Sequence, residues 1–221
     1  MLGCARRGAP LVLVACLAVP AVNQAADRPL CKWSFEPPAP GANAIAGGPA
    51  ARVEAATTAD GHDGKALAFE DWSVKDYLKP DPRKATRLMV TDDAAGRLNP
   101  TMPFRLSAWI YPTADPIYYG GIVEKGRGLG GSYGLVLLRG LKVQASLGDR
   151  HIVARSSSPV TLNAWHQVTL QAAGGTLILT IDGQEAARAA IPPDTKISSS
   201  DPLIIGERFS GRIDEVELAG Q

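Results

Sequence analysis

The chain has 221 residues, 45 % of them apolar, with 23 Lys+Arg against 22 Asp+Glu and a formal net charge of +1. The apolar share suffices for a sizeable core, and 23 Gly with 17 Pro fall short of the proportion that marks a low-complexity or disordered chain. Near-neutral, well-mixed charge argues against a general nucleic-acid binder, which needs a cationic face.

In chain order, Arg6 and Arg7 precede a short apolar run from Ala9 to Val19, followed by Pro20 and small residues up to Ala26. A basic start, a short apolar core and a small-residue end are the features of a secretory signal peptide, placed here at residues 1–25. The run is too short to span a bilayer. The expectation is one mature domain over 27–221, secreted or periplasmic, with no membrane span. Leu13-Val14-Ala15-Cys16 resembles the lipobox of bacterial lipoproteins, which gives a lipid anchor at Cys16 as the alternative. Removal of the leader takes Cys4 and Cys16 and leaves Cys31, so no internal disulfide can form and stability rests on burial.

The mature chain reads as short strands. Trp33-Ser-Phe-Glu36 comes first, and the Pro- and Gly-rich stretch 37–49 is a loop. Arg52–Ala55 and Lys65–Glu70 flank the turn-rich segment Asp60-Gly-His-Asp-Gly64, and Thr86–Val90 lies within an irregular region. Phe104-Arg-Leu-Ser-Ala-Trp-Ile-Tyr111 alternates Phe, Leu, Ala and Ile on one face with Arg, Ser, Trp and Tyr on the other, the period of a half-buried strand. Gly121–Glu124, Tyr133–Leu138, Leu141–Leu147, His151–Ala154, Trp165–Gln171 and Leu177–Ile181 follow. Asp182-Gly183 then predicts a tight hairpin into Gln184–Ala190. Pro202–Gly206 and Arg212–Leu218 complete the set. No stretch has a sustained helical period, so the fold class is all-β: one two-sheet antiparallel sandwich.

Several segments carry a family resemblance in order. Gly64-Lys-Ala-Leu-Ala-Phe69, Phe104-Arg-Leu-Ser-Ala-Trp-Ile-Tyr-Pro112, Ile122-Val-Glu-Lys-Gly126, Asn163-Ala-Trp-His-Gln-Val168, Leu179-Thr-Ile-Asp-Gly183 and Gly211-Arg-Ile-Asp-Glu-Val216 resemble the strand motifs of the laminin-G-like, concanavalin A-like jelly-roll domains. The resemblance runs from about Trp33 to Leu218 and implies a jelly roll whose first and last strands pair. It implies no particular ligand, because this fold hosts lectins, carbohydrate-binding modules, adhesion domains, glycosidases and lyases.

Trp33, Trp109 and Trp165 sit on fold-defining motifs, and core packing is the expectation for each. Trp109 is the strongest of them for sugar stacking, since Arg105, Ser107 and Tyr111 share its face. Trp72, Tyr77, Tyr118 and Tyr119 lie in irregular regions where ligand loops occur. With 118 and 119 extended, the two tyrosines point to opposite faces and one is the more exposed. His166 falls on the face of Val168 and Leu170 and reads as a hydrogen-bonded core histidine.

Glycoside cleavage needs two carboxylates flanking the bond. The laminarinase-type pattern E-x-D-x-x-E fails at Arg212-Ile-Asp-Glu-Val-Glu217, where Arg212 replaces the first glutamate. The residue clusters of alginate-lyase-type members are also missing. The resemblance places Asp214 where some members hold calcium near early-loop acids, and the rival reading gives it a structural hydrogen-bonding role. The expected function is an exported, non-catalytic recognition domain for carbohydrate or a glycosylated surface. The alternatives are a protein–protein adhesion module and a polysaccharide-degrading glycosidase or lyase.

Overall fold

The computed structural model describes residues 28–69, 86–91, 94–126 and 132–220. Regular structure among them consists of strands: β1 (Pro29–Trp33), β2 (Arg52–Glu54), β3 (Thr57–Asp60), β4 (Lys65–Phe69), β5 (Arg87–Val90), β6 (Phe104–Pro112), β7 (Tyr119–Lys125), β8 (Tyr133–Leu138), β9 (Lys142–Leu147), β10 (Ile152–Arg155), β11 (His166–Ala173), β12 (Thr176–Ile181), β13 (Gln184–Ala190), β14 (Leu203–Ile205) and β15 (Gly211–Gly220). Residues 1–25, Trp72 and Tyr77 lie outside the described residues. No described helix is long and apolar enough to cross a membrane.

The strands form two antiparallel sheets packed as a sandwich. The first runs β13-β12-β11-β6-β15-β4-β3, with β1 also on β15; the second runs β10-β9-β8-β7-β14-β5-β2. Alternation along β6 sends Phe104, Leu106, Ala108 and Ile110 into the core, where they are fully buried. Val168 and Leu170 of β11 and Ile213, Val216 and Leu218 of β15 continue that face. The second sheet answers with Leu88, Val90, Val123, Leu135, Leu137, Val143, Ala145, Leu203 and Ile205. Tyr133 also enters the core, its ring 5.3 Å from Phe104 and its hydroxyl donating to the Leu98 carbonyl at 2.9 Å.

The long strand β15 organises the first sheet. It pairs with β6 along most of its length, while its other edge takes β4 at Gly211–Ile213 and β1 at Val216–Ala219. First and last strands therefore pair, though β1 starts at Pro29 and ends at Trp33, earlier than the pattern suggested. The β12–β13 turn has positive φ at both Asp182 and Gly183, which fits the hairpin expected from Asp-Gly. His166 heads β11, bonded through Nδ1 to Asp182 at 2.8 Å and through Nε2 to the Thr161 hydroxyl at 2.9 Å. The sequence reading missed β3, a polar edge strand.

Of the three fold-motif tryptophans, only Trp33 lies in the core. Trp109 pairs across the sheet with Gln167 and Asp214, so it stands on the outer face of the first sheet. Trp165 is half-buried and packs on Tyr111, ring centroids 5.4 Å apart. Core packing is thus corrected for both. The physical reason is parity: Trp109 has the opposite phase to the apolar residues of β6, and Trp165, just before β11, has the opposite phase to Val168 and Leu170. Trp33→Ala should cost ~3–5 kcal/mol. Trp165→Ala should cost clearly less, about 1–2 kcal/mol, because much of its ring contact is at the surface. Denaturant unfolding of the two variants checks this ranking.

Candidate functional site

The expected ligand residues fall on two different faces. Arg105, Trp109 and Tyr111 share the outer face of the first sheet, and each has an intramolecular partner there. Arg105 pairs with Glu217 at 2.8 Å. The His62 ring stacks on Trp109 with centroids 3.5 Å apart and planes 13° from parallel. The Arg212 guanidinium sits 5.0 Å from the Tyr111 ring centre. One face of the Trp109 indole is therefore covered by the chain itself.

Asp214 explains why His62 lies there. A bulge in β15 after Asp214 leaves this residue opposite Trp109 on the outer face, yet fully buried. Its Oδ2 accepts the backbone N–H groups of His62 (2.8 Å) and Asp63 (3.1 Å), and its Oδ1 accepts that of Glu215 (2.8 Å). A β-carbon at Gly61 would come within 2.5 Å of Oδ2, so a glycine is needed for this approach. Burial pushes the Asp214 carboxyl above its usual range, against the pull of the three backbone donors. These oxygens tie down the 61–64 turn, which fits the structural hydrogen-bonding reading of Asp214. Among the described residues no three His, Cys, Asp or Glu side chains stand together as a metal set.

Tyr118 and Tyr119 belong to the second sheet, at the start of β7. Tyr118 is 56 % exposed, whereas Tyr119 is half-buried. The Tyr119 hydroxyl accepts from Arg208 Nη1 at 2.8 Å, and the same guanidinium lies 5.4 Å from the ring centre. Asp115, Ile117, Tyr118, Tyr119, Arg208 and Ser210 line a shallow cleft between the 114–119 segment and the β14–β15 connection.

Directly opposed residues of neighbouring strands share a face. Tyr119 opposes Leu138, Gly121 opposes Val136, and Glu124 opposes both Gly134 and Ile204. Val136 and Ile204 are buried but lie outside the core cluster. Tyr119, Gly121 and Glu124 therefore form one outward row along β7, a bulge at Ile122 keeping them in phase. The Glu124 side chain folds back along this row, because a β-carbon at Gly121 would collide with its Oε2. Its carboxyl thus lies over Gly121, two residues from Tyr119.

Charges around this carboxyl are interlinked. Arg87 bridges Glu54 (2.8 Å) and Glu207 (3.1 Å), and Arg208 is engaged with Tyr119. Glu124 itself is 7 % exposed. Burial first, and the neighbouring Glu207 second, push its carboxyl up to about 7, against the opposing influence of Arg208. Sequence reasoning missed Glu124, Glu207 and Arg208. The available signal was one acidic residue that follows the paired glycines Gly120-Gly121 and the apolar Ile122-Val123.

The displaced titration has a measurable sign. Below about pH 4.5 the carboxyl is protonated in folded and unfolded chains alike. From there to about pH 7 the folded protein holds a proton that the unfolded chain has lost, so stability falls as pH rises and levels off above. The contribution is about 3 kcal/mol across that window. Unfolding titrations between pH 4 and 8 should show that fall, and Glu124→Gln should flatten it by a similar amount.

A family model described as the concanavalin A-like lectin/glucanases superfamily matches residues 64–220. A comparison with curated protein sequences gives no match. Solved structures similar to this chain include the binding domain of Paraclostridial Mosquitocidal Protein 1, with TM-score 0.66, 15 % identity, and coverage of 90 % of this chain and 50 % of that one. Domain 4 of AbnA, a GH43 extracellular arabinanase from Geobacillus stearothermophilus in complex with arabinotriose, gives 0.63 and 13 %, covering 87 % and 92 %. The binding domain of Botulinum Neurotoxin DC in complex with SialylT gives 0.64 and 10 %, covering 88 % and 48 %. The chain thus spans about half the length of the toxin domains it matches, and nearly all of the arabinanase domain. With the family match spanning most of its length and the same sandwich in these binding domains, the chain belongs to the concanavalin A-like lectin/glucanase superfamily.

Proposed function

We propose that this protein is an exported, non-catalytic recognition domain that binds carbohydrate or a glycosylated surface at the start of β7. The observation that carries the reading is the exposed Tyr118 ring beside the Tyr119–Arg208 pair, in one cleft. An aromatic ring offers a platform for the apolar face of a sugar ring, and fixed polar groups beside it orient hydroxyls. The arabinanase domain supports the reading, as a module of similar fold that holds an oligosaccharide. Arg6, Arg7 and the apolar run after them support export, either as a soluble secreted or periplasmic protein or as one lipidated at Cys16.

Glycan-array binding by the purified protein tests the function. Tyr118→Ala should weaken binding roughly tenfold, about 1.4 kcal/mol, with no change in melting temperature, since the ring is mostly in solvent. If no glycan binds while a polypeptide partner co-purifies, an adhesion module replaces this reading; if oligosaccharides are shortened, an enzyme does. N-terminal sequencing of the protein from its producing cells tests export. A start near residue 26 is the expected result, a blocked start at Cys16 selects the anchored form, and a retained Met1 defeats the claim.

A further inference from the structure

We infer that the protein has a second binding site, a cavity between the 156–161 segment and the β12–β13 turn, and that it takes one ring of a neutral, hydroxyl-rich sugar. The site shares no lining residue with the cleft at the start of β7, and its ligand class follows from its own walls. The cavity has a volume of about 300 Å³, at the small end of the range for small-molecule sites. It lies where β10 and β13, edge strands of the two sheets, come together.

The walls are held in place by the chain's own hydrogen bonds. The Ser156 hydroxyl accepts the Val143 N–H at 3.0 Å and donates to the Ser158 carbonyl at 2.8 Å. The Val160 N–H donates to the Leu141 carbonyl at 2.9 Å, which fixes the other end of the segment. On the opposite wall, Asp182 Oδ1 accepts the Gln167 N–H and Oδ2 accepts His166 Nδ1–H, both at 2.8 Å. The Thr161 N–H donates to His166 Nε2 at 3.2 Å, which makes that nitrogen an acceptor and puts the ring proton on Nδ1. The Thr161 hydroxyl, 2.9 Å from Nε2, donates to it as well and keeps its own lone pairs for another partner. His166 thereby ties the two walls together, with the acceptors of Thr161 and Asp182 at a fixed spacing. The Asp182 side chain is nearly half exposed, and each of its oxygens has a lone pair to spare.

The ligand class follows by elimination. Asp182 and Glu185 line the cavity, and among the described residues no lysine or arginine does, so an anion meets carboxylates and no counter-charge. A cation finds the negative charge already engaged: Arg188 holds both oxygens of Glu185, and Asp182 has its two donors. A wholly apolar molecule would strip water from Asp182, Thr161 and the exposed Gln184 and give no hydrogen bond in return. A neutral sugar suits every wall. Its hydroxyls donate to Asp182 and Thr161 and accept from the Gln184 amide, while the C–H edge of the ring lies on Val160, Ile181 and Ala186.

The test is a titration of the purified protein followed residue by residue through its assigned amide resonances. The probes are glucose, galactose, mannose, xylose and arabinose, with glucuronate and glucosamine as charged counterparts. At least one neutral sugar should shift residues 157–161 and 184–186 and bind there more tightly than either charged probe. Thr161→Val keeps the backbone N–H and the shape but removes the hydroxyl, and Gln184→Ala removes the exposed amide. Each should weaken that binding about threefold, and the pair about tenfold, with unchanged melting temperatures. Tyr118→Ala should leave it as it was. A charged probe that binds best at this cavity, or neutral-sugar binding there that neither variant weakens, overturns the inference. Shifts confined to residues around Tyr118 also overturn it and leave the carbohydrate reading of the β7 cleft standing. Shifts confined to the cavity uphold it and take the β7 cleft out of that reading. No shift with any probe overturns it, and the β7 cleft is then decided by the glycan array alone.

Discussion

The carboxylate of Asp214 joins three parts of the chain that are far apart in sequence. It sits at the bulge of β15, reaches back to the turn before β4, and faces Trp109 on β6. Its cost is a buried acid; what offsets it is three backbone donors, two from the turn and one from the neighbouring Glu215. With the turn pinned, His62 lies flat on Trp109 and covers one face of its indole. On the opposite sheet, buried Glu124 has no equivalent set of backbone donors among the described residues. The two buried acids are chemically alike, and their surroundings differ: backbone donors hold one, and burial beside Glu207 raises the other.

That contrast extends to the two sheets as a whole. The first sheet supplies rigidity: β15 is hydrogen-bonded along both edges, and Arg105–Glu217 and Lys32–Glu215 ion pairs run across its surface. These pairs are partly exposed, so each adds little to stability by itself. The second sheet supplies relief. Glycines at 121 and 134 remove side chains near the starts of β7 and β8, and the folded-back Glu124 occupies part of that space. The bulge at Ile122 lets an apolar strand place Tyr119, Gly121 and Glu124 on one side without exposing Ile122 or Val123, both fully buried.

Much of this was legible in the sequence where burial alternates. β6 shows its two faces plainly, because Arg105, Trp109 and Tyr111 interrupt a clean apolar row. β8 and β13 match their expected bounds, and the Asp182-Gly183 turn needs only local chemistry. The parity of Trp165 was also legible, since His166 shares the phase of Val168 and Leu170 and leaves Trp165 on the other side. What escaped has non-local causes. β3 is a polar edge strand whose pairing with β4 leaves no periodic trace. β7 is buried on both faces, so alternation is silent there and a bulge shifts the phase just before Glu124. Two of the three backbone donors for Asp214 come from a turn some 150 residues earlier, which no local spacing reports.

The pairing of first and last strands has a mechanical side. Pro29 lies opposite Ala219, and the Gly220 N–H donates to the Arg28 carbonyl at 2.9 Å, so both ends of the sandwich leave from one corner. Because β1 and β15 are antiparallel, a pull applied to both ends would load their hydrogen bonds one after another, as a zip opens, instead of all together in shear. A tether at one end alone transmits no such load. Attached through a single end to a membrane or a larger body, the domain could therefore swing and take up drag without straining its sheet, whereas a chain held taut through both ends would peel β1 away first.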